Sequence, residues 1–152
     1  MIIGFAGHSL VPLTEKVREA VKEQILKNIT ESQQVTFYLG GYGDFDEICA
    51  GVCRSLKREH SGMELVYVTP YITSSEQEKI KYMQKLGLYD ASIYPPIENT
   101  PLRFAISKRN AWMMSNVDLV IAYVKFGYGG AYKSLQVAKS KKKKIINIVD
   151  FI

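Results

Sequence analysis

Apolar residues along this 152-residue chain fall into two alternating patterns. Short continuous runs occur at Ile2–Phe5, Val35–Leu39, Met63–Val68, Asp118–Val124 and Ile145–Val149, with a weaker one at Ser92–Tyr94. Runs of this length, bounded by turn residues, read as strands buried on both faces. The stretches between them carry apolar positions three or four apart, the period of a helix packed on one side. Val17, Ala20, Val21, Ile25 and Ile29 form such a face after Thr14, a cap residue. Phe45, Ile48, Cys49, Val52, Cys53 and Leu56 form an unbroken stripe in the next helix, which starts near Asp44. Ser75 and Glu78 have capping-box spacing for a third helix that Gly87 stops. Thr100-Pro101 opens a fourth and Ala131–Lys139 is a fifth. Strands alternating with helices specify one α/β domain with a mostly parallel central sheet covered on both faces.

The length suits a single domain with a substantial core, and no long linker interrupts the alternation. Composition, 47% apolar and 23% charged, is that of a soluble globular protein. No run approaches the ~20 apolar residues needed to span a bilayer, so no membrane partner is expected. MIIGFAGHS reads as a first strand and not as a signal peptide, since it has no basic leader. The two cysteines, Cys49 and Cys53, lie on the apolar stripe and read as reduced core residues of a cytoplasmic protein. They supply neither a zinc set nor a disulfide framework, so no metal is expected. Net charge is +5, which favours an anionic partner. The Lys141–Lys144 run has no arginine or aromatic interleaved, reads as a solvated helix end, and gives no reason to expect a nucleic acid.

Two glycine-aromatic loops follow strands and precede helices. The first is Gly40-Gly41-Tyr42-Gly43-Asp44, continuing to Asp46 and Glu47; the second is Gly127-Tyr128-Gly129-Gly130. Such turns aim backbone N–H groups and a helix dipole at one point, which suits a phosphate or carboxylate. Tyr42 can stack on a base or sugar. Asp44 and Glu47 also fit a capping box, a purely structural role. Asp46 fits either a ribose-binding carboxylate or a solvated first-turn acid. With a strand order of 3-2-1-4-5 and Ser92–Tyr94 peripheral, the loops stand about 10 Å apart across a crevice. Gly7 and His8 end the first strand on the same edge. Arg109 falls in the middle of the apolar face made by Leu102, Ala105, Ile106, Trp112 and Met113. An arginine so placed snorkels, pairs with a buried acid, or points into a polar cleft where it can grip an anion bidentately.

YLGGYGDFDEICA and RNAWMMSNVDLVIAYVKFGYGGAYKSLQVAKSKKKKIIN, with GFAGHS at the start, resemble the SLOG superfamily, which includes DprA and the LOG nucleotide hydrolases. Its small YpsA-like branch is the best fit. The resemblance implies a single-domain, Rossmann-like three-layer sandwich that binds a nucleotide or nucleotide-derived ligand, such as an ADP-ribose- or NAD-related one, with no required cofactor. It also implies a homo-oligomer. Arg109, Met113 and Asp118 match a LOG pattern that continues as PGGxGTxxE, but Ala131 stands in place of the threonine and Ser134 in place of the catalytic glutamate. LOG-type phosphoribohydrolase activity would then need a carboxylate from the first loop, Glu47 or Asp46. A DprA-like accessory role on single-stranded DNA is a further alternative.

Overall fold

The computed structural model describes residues 1–12 and 14–152. Its centre is a six-stranded parallel sheet of β1 (Ile2–Gly7), β2 (Val35–Leu39), β3 (Met63–Val68), β4 (Ala91–Ile93), β5 (Leu119–Tyr123) and β6 (Lys144–Asn147). The spatial order is β4-β3-β2-β1-β5-β6, the expected order with the short strand added at one edge. The chain runs outward from β1 to β4, then crosses back to β5 and β6. The order therefore reverses beside β1, and the loops after β1 and β5 diverge there.

Alternation along each strand divides the core in two. Ile3 and Phe5 of β1, with Leu119, Ile121 and Tyr123 of β5, face one layer. Ala6, Val120, Ala122 and Val124 face the other. The first layer is covered by α1 (Thr14–Lys27) and α2 (Asp44–Glu59), through the apolar faces read from their periodicity. Both cysteines are fully buried there, as expected. The second layer is covered by α4 (Ala105–Ser115) and α5 (Gly130–Ser140), through Met113, Met114, Leu135 and Ala138. α3 (Ser74–Lys85) lies more superficially, resting Ile80 and Met83 on the first layer.

Gly87, at φ 73°, ends α3 as expected: its N–H donates to Gln84 and the Leu88 N–H to Met83, a Schellman closure. Helix starts are where the local reading and the structure part. α3 is capped by Thr73, whose hydroxyl accepts from the Glu76 N–H at 3.3 Å, two residues before the Ser75–Glu78 pair that carries the same pattern. Thr73 is preferred because its register lets Glu76 turn inward to Thr69 and Tyr67. Thr14 is the first helical residue of α1. A 3-10 turn at Leu102–Phe104 precedes α4, so Leu102 projects into solvent at 74% exposure and does not join the buried face. The Asp44–Glu47 capping box is not formed: Gly43 is the N-cap of α2 and has no side chain to contribute. Among the described residues, no helix is long and apolar enough to cross a membrane.

Candidate functional site

β1, β2 and β5 end side by side, so the loops that follow them meet above the sheet. The two glycine loops are built alike. Gly43 caps α2 at φ 91°, ψ 172°, and Gly129 caps α5 at φ 92°, ψ 178°. That backbone region is essentially closed to residues with a Cβ, which explains the repeated Gly-Tyr-Gly.

Their hydrogen bonding separates them. In the first loop, the Asp44 N–H donates to Ser9 O at 2.9 Å and the Asp44 carboxylate accepts from Val11 N–H at 3.1 Å. The Tyr42 N–H donates to Asp46 Oδ2 at 3.0 Å. A Cβ on Gly43 would lie 2.8 Å from Ser9 Cα, and one on Gly41 would lie 2.7 Å from the Tyr67 ring. This loop is closed on itself and on the β1 loop. In the second, the first helical bond runs from Lys133 N–H to Gly129 O, and the amides of Gly130, Ala131 and Tyr132 have no acceptor among the described residues. Added Cβ atoms at Gly127, Gly129 and Gly130 would meet nothing within 4 Å. The N-terminus of α5 is an open cradle of positive dipole.

That cradle opens on a cavity of about 450 Å³, walled by the β1 loop, Tyr42 and Asp46 of the first loop and α2, α4, and the start of α5. A smaller recess of about 130 Å³ between α4 and α5 shares Ile106, Asn110, Gly130 and Ser134 with it. Tyr42 and Tyr128 stand at the rim with 66% and 71% of their surface exposed. Ser134 is buried against the wall, and its hydroxyl makes no hydrogen bond among the described residues.

Arg109 lies at the base, with only 1% of its surface exposed. Nη1 donates to Val68 O at 2.6 Å and Gly40 O at 3.0 Å, and Nε donates to Asn110 Oδ1 at 2.9 Å. The guanidinium thus ties the ends of β2 and β3 to α4, leaving Nη2 with no protein acceptor among the described residues. A grip on an anion through both terminal nitrogens, the geometry anticipated from its place on the helix, conflicts with the two carbonyls already on Nη1. Asp46 shares the base of the site: an added Cβ on Gly40 would sit 3.1 Å from Asp46 Oδ2 and 3.2 Å from Arg109 Cζ. Burial raises the Asp46 pKa to about 6, against the opposing pulls of the Tyr42 amide and Arg109. Behind it, Glu76 accepts from Thr69 Oγ1 at 2.6 Å and Tyr67 Oη at 3.1 Å. Burial, reinforced by the Glu76 charge, holds the Tyr67 phenol at about 12.

His8 joins the β1 loop to the second glycine loop. Its Nε2 accepts from Lys125 N–H at 2.8 Å and, more weakly, from Phe126 N–H at 3.4 Å. Its ring lies 5.1 Å from Phe126, which in turn stacks on Tyr128.

Of the residues singled out in the sequence, Gly7, His8, Tyr42, Asp46, Arg109, Tyr128, Gly129 and Gly130 line the cavity together. Gly40, Gly41, Gly43, Asp44, Glu47 and Gly127 do not; Gly40 contributes through the carbonyl bound by Arg109, and Glu47 is exposed outside it. Gly7 also has a packing reason, since a Cβ there would fall 2.3 Å from the Phe45 ring. Ser9, Leu10, Asn110, Met114 and Ser134 are among the further wall residues, none of them a ligand contact expected from the sequence. Ile106, Asn110 and Met114 step by four residues along α4, one helical stripe beside Arg109, which is the signal in the sequence that groups them.

No protein-family model matches the chain, and no curated protein matches it. Solved structures do. DNA processing protein A from Helicobacter pylori, described with a single-stranded-DNA binding mode, superposes with a TM-score of 0.60 at 16% identity over 95% of this chain. DNA processing protein A from Streptococcus pneumoniae gives 0.62 at 14% identity over 94%. The chain spans 63% and 48% of those two proteins. At such identities the likeness concerns the backbone, and it establishes that this chain has the Rossmann-like α/β fold of the DprA type.

Proposed function

We propose that the protein binds a nucleotide or nucleotide-derived ligand in the cavity at the carboxyl ends of β1, β2 and β5. One observation carries the reading. Gly130 and Ala131, whose amides have no acceptor among the described residues, border one cavity together with Ser134 and Arg109, and its rim holds two exposed tyrosines. Donors without acceptors suit a phosphate, and the rings suit stacking on a base or sugar. Asp46, opposite, suits ribose hydroxyls. Membership of a YpsA-like branch and self-association belong to this reading as implications of the resemblance. Calorimetry with AMP, ADP-ribose, NAD and cyclic dinucleotides tests it. The expected result is binding of at least one of them that Gly129→Ala and Tyr128→Ala weaken; silence across the set would remove the reading.

A second reading is favoured by the structural neighbours. The Helicobacter protein binds single-stranded DNA, which counts against the expectation, drawn from the lysine run, that nucleic acid is not a partner. Tyr42, Phe126 and Tyr128 form an exposed aromatic rim on a chain of net charge +5, and aromatic platforms on a basic surface bind single strands. Such binding would weaken steeply with salt, whereas a flat salt response of oligonucleotide affinity would exclude it. A hydrolytic variant of the first reading would use Asp46, the carboxylate inside the cavity. Free-base release from nucleoside monophosphates, abolished by Asp46→Asn, is its signature.

A further inference from the structure

We infer that His8 is a proton-sensitive latch: as a neutral acceptor it holds the second glycine loop in the conformation that opens the α5 cradle, and protonation releases that loop. The geometry has two parts. The loop between β5 and α5 has little else to fix it. The Val124 backbone is anchored by Asn147, whose side chain accepts from Val124 N–H at 3.1 Å and donates to Val124 O at 2.9 Å. Beyond that point, Lys125 to Gly130 are all exposed. Side chains added at Gly127, Gly129 and Gly130 would touch nothing. Apart from the first helical bond of α5, from Lys133 N–H to Gly129 O, the hydrogen bonds fixing this stretch from outside it are the two from Lys125 N–H and Phe126 N–H to His8 Nε2, among the described residues.

Both bonds run in the same direction, from backbone amide to imidazole. Nε2 must therefore carry its lone pair, which puts the ring proton on Nδ1. Adding a proton to Nε2 consumes that lone pair and points an N–H at two N–H groups, so both contacts become repulsive. Burial lowers the His8 pKa below its usual 6.5, the direction expected of a ring that folds as an acceptor. Charged and titratable neighbours are few. From β5 the Tyr123 ring stands edge-on at 6.1 Å, and from the loop comes Lys125, whose amide is one of the two donors. Asp46 of α2, Arg109 of α4, and Tyr42 and Tyr128 of the two glycine loops share the cavity wall with His8. None of these accepts from the amides of Lys125 and Phe126 in the structure. The tilted contact of His8 with Phe126 and the stack of Phe126 on Tyr128 extend the latch to the rim, so release of the loop also frees the exposed tyrosine.

The consequence for binding rests on the nucleotide reading above, but the latch itself does not. It is tested first without ligand, by following the amide resonances of Lys125 and Phe126 and the His8 ring from pH 8 to pH 5. The expected result is one shared midpoint below 6.5 for all three, with line broadening through Gly130 on the acid side. His8→Gln supplies a non-titrating oxygen acceptor near the Nε2 position; its amide shifts should stay flat with pH at wild-type values. His8→Ala should show the released loop at every pH. Binding of ADP-ribose at pH 8, where Asp46 and His8 both hold one charge state, should fall less in His8→Gln than in His8→Ala. In His8→Ala it should weaken about tenfold, the factor expected if about a tenth of the molecules hold the loop in the competent form. Amides that ignore the His8 titration, or a His8 midpoint at or above 6.5, would overturn the latch. Coupled amide shifts without ADP-ribose binding would keep the latch and count against the ligand.

Discussion

Replacing Arg109 by methionine tests the claim that its first role is to tie the sheet ends together. Methionine keeps the volume of the stem and removes all five N–H donors. Two carbonyls lose a charge-assisted partner, Val68 O at 2.6 Å and Gly40 O at 3.0 Å, and both belong to buried residues. At about 1.5–3 kcal/mol per hydrogen bond to a charged group, the gross loss is about 3–6 kcal/mol. Relief from burying a cation returns part of that, leaving a net destabilisation of about 2–4 kcal/mol. Domains of this size are stable by only about 5–15 kcal/mol, and each kcal/mol lowers Tm by about 2–4 °C. Urea unfolding followed by circular dichroism should show the loss as a lower midpoint with an unchanged slope. Faster amide exchange should be concentrated at the ends of β2 and β3. Arg109→Lys, with a point charge unable to reach both carbonyls and Asn110 together, should lose about half as much. A methionine variant within ~1 kcal/mol of wild type would refute the tie and leave a ligand contact as the reason for this arginine.

Other substitutions address the neighbouring parts of the site. Asp46 has a folded pKa raised from 3.8 to about 6, so the folded state holds its proton more tightly than the unfolded chain does. Its contribution is therefore fully favourable below pH ~4 and is lost as pH rises through about 6. Asp46→Asn should accordingly stabilise the protein near pH 7.5, by about 1–2 kcal/mol after discounting for partial solvent access, with the gain shrinking in parallel denaturation curves taken toward pH 4. Gly43→Ala and Gly129→Ala share a backbone strain of about 1–3 kcal/mol. Only Gly43→Ala adds a clash, with Ser9 Cα at 2.8 Å, so thermal melts should rank it as the more damaging. Cys49 and Cys53 are fully buried, and burial raises both thiols well above their usual range. An aromatic disulfide reagent at pH 8 should react with them at the rate of unfolding and no faster.

The alternation of strands and helices, the parallel sheet and the strand order were all legible in the chain, because each rests on local periodicity and on the short-range rules of βα units. The burial of Phe45–Leu56, the cysteines included, follows from a stripe whose spacing is self-evident. Helix starts were less legible: two residues separate the Ser75–Glu78 pattern from the working Thr73–Glu76 one. Both satisfy the same local rule, and the choice falls to Glu76, which must reach Tyr67 and Thr69 across the fold.

The same holds for the site. Two Gly-Tyr-Gly turns of one conformation are specified by the sequence, since only glycine tolerates the backbone at Gly43 and Gly129. Nothing local says that one is stitched shut and the other open. That is decided by Asp44 reaching Val11, 33 positions away, by Arg109 reaching Gly40, 69 away, and by His8 reaching Lys125, 117 away. A hydrogen bond between distant residues leaves no periodic trace along the chain, because its geometry exists only once the sheet has set the strand ends side by side. The amino-acid sequence by itself determined the fold and where along the chain its turns would lie. The tertiary structure decided which turn is stitched to its neighbours and which is left open, and gave Arg109 two carbonyls to hold at the floor of the cavity.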